Sequence, residues 1–178
     1  YVILELCDFG DLNDIVIQTG GLSEARARHY FRHIMGAISY IHSLNVAHRD
    51  IKLENILISK DDIAKLTDFG LCKRVTSENT PMLTACGTLV YAAPEILREG
   101  SYNGMAADIW SAGIVLYAMV SGHFPWYEDQ RLPPEKLTHE ISKQILDGNI
   151  ELPNGTYEIR DLLMNMLAND PSERPSAT

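Results

Sequence analysis

Apolar residues recur along this chain at two spacings. Between Glu24 and Ser43, Tyr30, Phe31, Ile34, Ile38 and Ile41 return every three or four positions, the period of an amphipathic helix. Ser23 stands where a helix cap belongs and Glu24 puts an acid in the first turn. Ala106 to Ser121 is apolar nearly all round and predicts a helix buried on every side. Leu137, Ile141 and Ile145 mark another helix, and Ile159, Leu162, Leu163, Met166 and Leu167 a last one that ends before Pro171. Asp11 to Gln18 predicts one short helix within the turn-rich stretch Asp8 to Gly21. Ile56-Leu57-Ile58 and Ile63 to Leu66, separated by the polar Ser59-Lys60-Asp61-Asp62, predict a small hairpin. The opening run Tyr1-Val2-Ile3-Leu4-Glu5-Leu6 predicts a buried strand. Residues 68 to 104 hold no sustained period and many turn residues, a loop of the length that is usually functional. The pattern predicts a single, mainly α domain with short β hairpins, without repeats or linkers.

Composition narrows the function. With 46% apolar and 22% charged residues over 178 positions, the chain is globular rather than disordered. Its 24 acids against 15 bases give a net charge of −9, which repels a polyphosphate partner and argues against nucleic acid. The longest unbroken apolar run, Ala112 to Val120 with Gly113 inside it, is about half of what a bilayer needs, so no membrane span is expected. No charged, then apolar, then small-residue leader opens the sequence, so no signal peptide is expected. Cys7, Cys72 and Cys86 are odd in number and lack metal-ligand or CxxC spacing. An intracellular, reduced location is expected, the cytoplasm first and the nucleus as an alternative.

The candidate chemistry sits mid-chain. His48-Arg49-Asp50-Ile51-Lys52-Leu53-Glu54-Asn55 precedes the predicted hairpin and Asp68-Phe69-Gly70 follows it. A rigid hairpin brings its flanks together, so Asp50, Asn55 and Asp68 supply three oxygen donors to one place. Such oxygens suit Mg²⁺, a hard cation commonly shared with phosphate. Lys52 is placed to neutralise charge on a transferring phosphoryl group, and an Asp not needed for the metal could orient and deprotonate a hydroxyl. Each residue alone would serve as a turn or cap; the combination is what points to phosphoryl transfer.

That combination resembles the eukaryotic protein kinases, whose signatures include H-R-D-L-x-x-x-N, D-F-G and A-P-E. Here they stand as His48 to Asn55 (with Ile51 for Leu), Asp68 to Gly70, and Ala93-Pro94-Glu95, in matching order and separation. Asp108-Ile-Trp110-Ser-Ala-Gly113 and Arg174 in Pro-Ser-Glu-Arg-Pro match further, so the resemblance covers the whole chain. It implies a kinase-like C-terminal lobe, ATP and Mg²⁺ as cofactors, and Ser/Thr hydroxyls of proteins as acceptors. Asp50 resembles the base that takes the substrate proton, and Asn55 and Asp68 the Mg²⁺ ligands. Lys52 matches the serine/threonine pattern, and Thr88 the residue that hydrogen-bonds Asp50 and Lys52. Glu5 to Cys7 resembles the hinge whose backbone pairs with adenine, making Leu4 the gatekeeper. Leu57 matches the adenine floor and Asp11 the ribose-contacting acid; Glu54 joins this nucleotide-side set, and Asp11 and Glu54 could attract a basic substrate residue upstream of the acceptor. His48 and Phe69 should stack as spine residues above Asp108, and Glu95 should pair with Arg174 in the interior.

The resemblance also suggests regulation. Arg49 beside Asp50 is the pattern of kinases switched by activation-loop phosphorylation, and Thr84 aligns with the usual site. A phosphate there would meet Arg49 and Lys73; Thr76, Ser77 and Thr80 are weaker candidates, and an upstream activating kinase is implied. The sequence departs from the family in holding no G-x-G-x-x-G. Ile63-Ala64-Lys65 resembles the strand motif V-A-I-K only superficially, because it follows the catalytic loop. The expected extent is the hinge and large lobe, with the small lobe upstream of residue 1 and the last helix cut short. Such a fragment alone should be weakly active or inactive. Leu89 replaces a frequent Pro, and Ala118 stands where basophilic kinases carry an acid. The Asp-Phe-Gly-Leu-Cys-Lys and Cys-Gly-Thr segments look nearest the calcium/calmodulin- and cyclic-nucleotide-dependent groups. Asn154-Gly-Thr156 matches a glycosylation sequon, irrelevant in the cytosol. The alternative function is a non-catalytic, pseudokinase-like scaffold or binding module.

Overall fold

The computed structural model describes residues 3–75, 88–98, 101–126 and 131–177. In chain order its elements are α1 (Leu12–Thr19), α2 (Glu24–Ser43), β1 (Val46–Ala47), β2 (Ile56–Ile58), β3 (Ala64–Leu66), β4 (Lys73–Arg74), α3 (Pro94–Leu97), α4 (Gly104–Ser121), α5 (Pro134–Asp147) and α6 (Tyr157–Met166). Single 3₁₀ turns lie at Leu53–Asn55, Phe69–Leu71, Leu89–Tyr91 and Pro171–Glu173. The fold is mainly helical with small antiparallel ladders, as the apolar spacing predicts.

Local chemistry sets the helix ends. Ser23 Oγ accepts the Arg26 N–H at the start of α2, and Asp11 Oδ1 accepts the Asp14 N–H at the start of α1. Asn103 Oδ1 caps α4 by accepting from Met105 and Ala106. Gly122 ends α4 at φ +77°, where a Cβ would strike the Gly20 carbonyl, so the turn demands glycine twice over. Helix α2 buries Ala27, Tyr30, Phe31, Ile34, Ile38 and Ile41 along one stripe. Helix α4 packs against both α2 and α6 and forms the centre of the core. Its 18 residues are long and apolar enough to cross a membrane, yet 78% of the helix is buried inside the protein and it carries Asp108. A Cβ on Gly113 would lie 2.8 Å from Leu167 Cδ2, so α4 and the end of α6 approach closely there.

Two short ladders position the mid-chain segment. In the first, Val46 pairs with Arg74 and Ala47 with Lys73; in the second, Ile56, Leu57 and Ile58 pair with Leu66, Lys65 and Ala64. The chain leaves β1 into His48 and enters β2 from Asn55; it leaves β3 into Thr67-Asp68 and enters β4 from Cys72. Residues 48–55 and 67–72 are thereby clamped side by side at both ends.

The opening strand is a correction. Residues 3–7 adopt no strand, and Leu4 and Leu6 are 74% and 78% exposed. Apolar content reports a tendency to be covered, whereas a strand also needs a ladder partner, and no described residue supplies one there. Pairing starts only at Phe9, whose N–H donates to Ile58 O, and continues through Gly10 O and an Asp11–Leu57 bridge. The second hairpin strand begins at Ala64 rather than Ile63, which is exposed. Within the expected long loop the described residues form β4, two 3₁₀ turns and α3. Thr76, Ser77, Thr80, Thr84 and Cys86 lie outside the described residues.

Candidate active site

Asp108, 1% exposed on α4, organises the site from below. Its Oδ2 accepts the His48 N–H at 2.8 Å and the His42 Nε2–H at 2.8 Å, and its Oδ1 accepts the Arg49 N–H at 2.8 Å. Three donors on one buried carboxylate hold Arg49 at φ +70°, a left-handed conformation that costs a non-glycine residue energy. The His48 ring extends the clamp: Nδ1 accepts the Asp50 N–H at 3.3 Å, and Nε2 donates to the Thr67 carbonyl at 3.0 Å. The ring also meets Phe69 edge-on at 5.0 Å. His48 is therefore a buried cross-brace, as the resemblance implies. Phe69 differs from the expected spine residue in being half exposed, with His48 as its ring partner among the described residues.

From this base the loop presents a connected cluster. Asp50 Oδ2 lies 2.8 Å from Lys52 Nζ and accepts from Asn55 Nδ2 at 3.0 Å; the same amide donates to the Asp50 carbonyl at 2.8 Å. Lys52 Nζ also donates to Thr88 Oγ1 at 3.3 Å, across 36 residues of sequence. With its amide nitrogen committed to Asp50, Asn55 keeps its side-chain oxygen Oδ1 free of protein donors among the described residues. Asp68 stands across the hairpin at φ +58°; its Oδ1 accepts the Gly70 N–H at 3.2 Å. The two sides are tied where the Thr67 N–H donates to Asn55 O at 2.9 Å. Asn55 and Asp68 thus offer hard oxygen donors of the type Mg²⁺ takes. Among the described residues no three His, Cys, Asp or Glu side chains enclose a common point, so a cation here would draw its remaining ligands from phosphate or water.

The other expected residues are placed as follows. Glu5 binds Lys65 of β3 through both oxygens at 2.6 Å, Cys7 is partly buried, and Asp11 caps α1 beside Leu57. Glu54 Oε2 accepts from the Tyr91 hydroxyl at 3.0 Å, and that hydroxyl accepts the Leu53 N–H at 3.3 Å. No sequence motif points to Tyr91, whose partners lie 37 and 38 positions away. Burial, then the Glu54 charge, hold its phenol far above the usual range, so it stays a neutral bridge. Burial first, then the Asp108 charge, push the Cys72 thiol up to about 11, which makes it a poor nucleophile. Arg49 Nε donates to Leu71 O at 2.7 Å, and Lys73 is exposed on β4. Arg174, fully buried, grips Glu95 with two bonds of 2.6 and 2.8 Å and lies 5.0 Å over the Trp110 ring.

The family model for the protein kinase domain matches residues 1–178. The chain belongs to the protein kinase family. Its relatives in that family include maternal embryonic leucine zipper kinase of Xenopus tropicalis, 39% identical over 99% of this chain and 26% of that protein. Probable serine/threonine-protein kinase MARK-B of Dictyostelium discoideum is 39% identical over 97% of the chain and 24% of its own length. Testis-specific serine/threonine-protein kinase 5 of Mus musculus is 39% identical over 98% of the chain and 46% of its own length. The chain thus spans about a quarter to a half of these relatives. Within this kinase lobe, Asp50, Lys52, Asn55 and Thr88 are brought together, Asp68 stands one hairpin rung away, and Glu95 meets Arg174 as the motif match implies.

Proposed function

We propose that this chain forms the large lobe of an ATP- and Mg²⁺-dependent kinase that phosphorylates serine and threonine hydroxyls of proteins. The Asp50–Lys52–Thr88 contact carries the reading, because it sets a carboxylate and an ammonium side by side at the edge of an oxygen-donor pair. Asp50 would orient the acceptor hydroxyl and take its proton as the hydroxyl oxygen bonds phosphorus and the bond from phosphorus to the ADP oxygen breaks. Lys52, held by Thr88, would offset charge on the phosphoryl oxygens in flight. Asn55 and Asp68 would hold Mg²⁺, which would supply positive charge to offset that of the phosphates. On the nucleotide side, the backbone of Glu5 to Cys7, Leu57 beneath it and Asp11 and Glu54 at its edge would seat adenosine. A phosphate on Thr84 would draw on Arg49 and Lys73.

The test is phosphoryl transfer by the full-length protein from Mg-ATP to Ser/Thr peptides. Asp50→Asn should lower kcat by about 10²–10⁴-fold with the fold intact. Turnover unchanged by that substitution, or undiminished on removal of Mg²⁺, would overturn the reading. The 178 residues alone should transfer phosphate feebly, because closure over the nucleotide excludes water and strengthens electrostatic stabilisation.

A further inference from the structure

Helix α2 grips the turn between β2 and β3, at the end of the hairpin opposite Asn55 and Thr67. Asp62 in that turn adopts φ +61°, unfavourable for a residue with a Cβ. Its Oδ1 accepts from Arg26 at 2.7 Å and from the Tyr30 hydroxyl at 2.7 Å. Arg26 also donates to the Tyr30 oxygen at 2.5 Å and lies 4.8 Å over the Tyr30 ring, which is wholly buried. The His29 Nε2 lies 2.8 Å from the Asp62 carbonyl, and one turn on, His33 Nδ1 accepts the Ala64 N–H at 3.3 Å. Residues 26, 29, 30 and 33 share one helix face, so the turn and the first residue of β3 are held by a single rigid surface.

The hairpin is only three pairs long, and its other end carries Asn55 and Thr67, joined at 2.9 Å, with Asp68 next. So short a ladder specifies its own register weakly, and a one-residue slip would turn the residues after β3 to the opposite face. We propose that Arg26, Tyr30 and Asp62 form a positioning network that locks the β2–β3 turn onto α2 and thereby fixes the separation of Asn55 and Asp68 at the far end of the hairpin. This rests on reading Asn55 and Asp68 as the Mg²⁺-holding pair. A purely local role for Asp62 makes the opposite forecast, because glycine adopts φ +61° without strain and would serve the turn as well or better.

Asp62→Gly in the full-length protein separates the two. In the metal-free state, exchange of the Thr67 amide should accelerate about tenfold, the scale of one lost charge-assisted contact. The Mg²⁺ concentration giving half-maximal transfer should rise about three- to tenfold, with KM for the peptide unchanged. Tyr30→Phe keeps the buried ring and should move both readouts the same way by about two- to threefold. Unaltered Thr67 exchange in both variants overturns the network. Faster exchange with an unmoved Mg²⁺ midpoint reduces it to a structural contact and overturns the positioning role. Asn55→Ala and Asp68→Ala run in parallel: Mg²⁺ dependence that survives both discards the metal reading instead, a failure the Thr67 exchange does not share.

Discussion

Replacing Asp108 by Asn probes the base of the catalytic loop with almost no change of shape. The carboxylate accepts from two backbone N–H groups and from His42, each at 2.8 Å, with the residue 1% exposed. An amide offers one oxygen. With its NH₂ in the Oδ1 position it faces the Arg49 N–H; with its NH₂ in the Oδ2 position it can donate to a re-tautomerised His42 but faces the His48 N–H. Either way one buried backbone donor is orphaned, at about 1–3 kcal/mol, and the surviving bonds lose their charge assistance. The total is about 2–4 kcal/mol, which for a chain of this size lowers Tm by about 5–15 °C. Because Arg49 sits in a strained left-handed conformation that these bonds hold, the loop should relax and kcat of the full-length protein should fall by about tenfold or more. Calorimetry and steady-state kinetics on the variant check both numbers. An Asp108→Asn protein melting within about 2 °C of the parent would show that the three donors find other partners, and the account of the clamp would be wrong.

Three further outcomes follow from the geometry. Arg174→Met strands Glu95 and frees the Ala168 and Ala106 carbonyls it now satisfies, costing about 3–5 kcal/mol, whereas Glu95→Leu combined with Arg174→Met should cost less than either single change; a double variant worse than both in urea unfolding would contradict this. Thr88→Ala removes the 3.3 Å contact that steadies Lys52, so kcat should fall by about two- to tenfold with KM for ATP nearly constant, and Thr88→Ser should restore it; failure of Ser to restore would assign Thr88 another role. Burial raises the Cys72 thiol to about 11 and the Tyr30 and Tyr117 phenols above their usual value, so in each case the unfolded chain releases its proton first. Their contribution is complete below the unfolded values and is lost as pH rises: the urea midpoint should decline from about pH 9, and Cys72→Ala should flatten the part between about pH 9 and 11. Parallel curves for the two proteins would dismiss the cysteine's share.

How far the chain discloses itself depends on whether the cause of a feature is local. Helix α2 announces both its ends, because Ser23, Glu24 and the apolar stripe act within a few residues of one another, and the structure runs from Glu24 to Ser43 as that pattern dictates. The run at Ile3 to Leu6 misleads for the opposite reason: its composition is strand-like, but a ladder partner is a non-local fact that no window of residues contains. Tyr91, His42, and the Arg26–Tyr30–Asp62 grip were invisible in the same way, each joined to its partner across 32 or more positions. The only local trace of the last is an Asp at the end of a polar turn where a residue with φ above zero is required.

The site itself lies between these cases. Asp50, Asn55 and Asp68 are separated by an interval that any polar loop could show; what turns the interval into proximity is the three-pair hairpin and the second ladder from Val46 to Arg74. Both ladders are too short to be stable alone. They hold because Ala47, Ile56, Ile58 and Ala64 are buried against the helical core, and because Asp108 and α2 anchor the loops at either end. The acidic and amide oxygens are therefore placed by the apolar residues between them: exchanging Ile56 or Ile58 for a polar residue would displace the functional groups without touching one of them, which is why the motif residues carry chemical meaning only on this core.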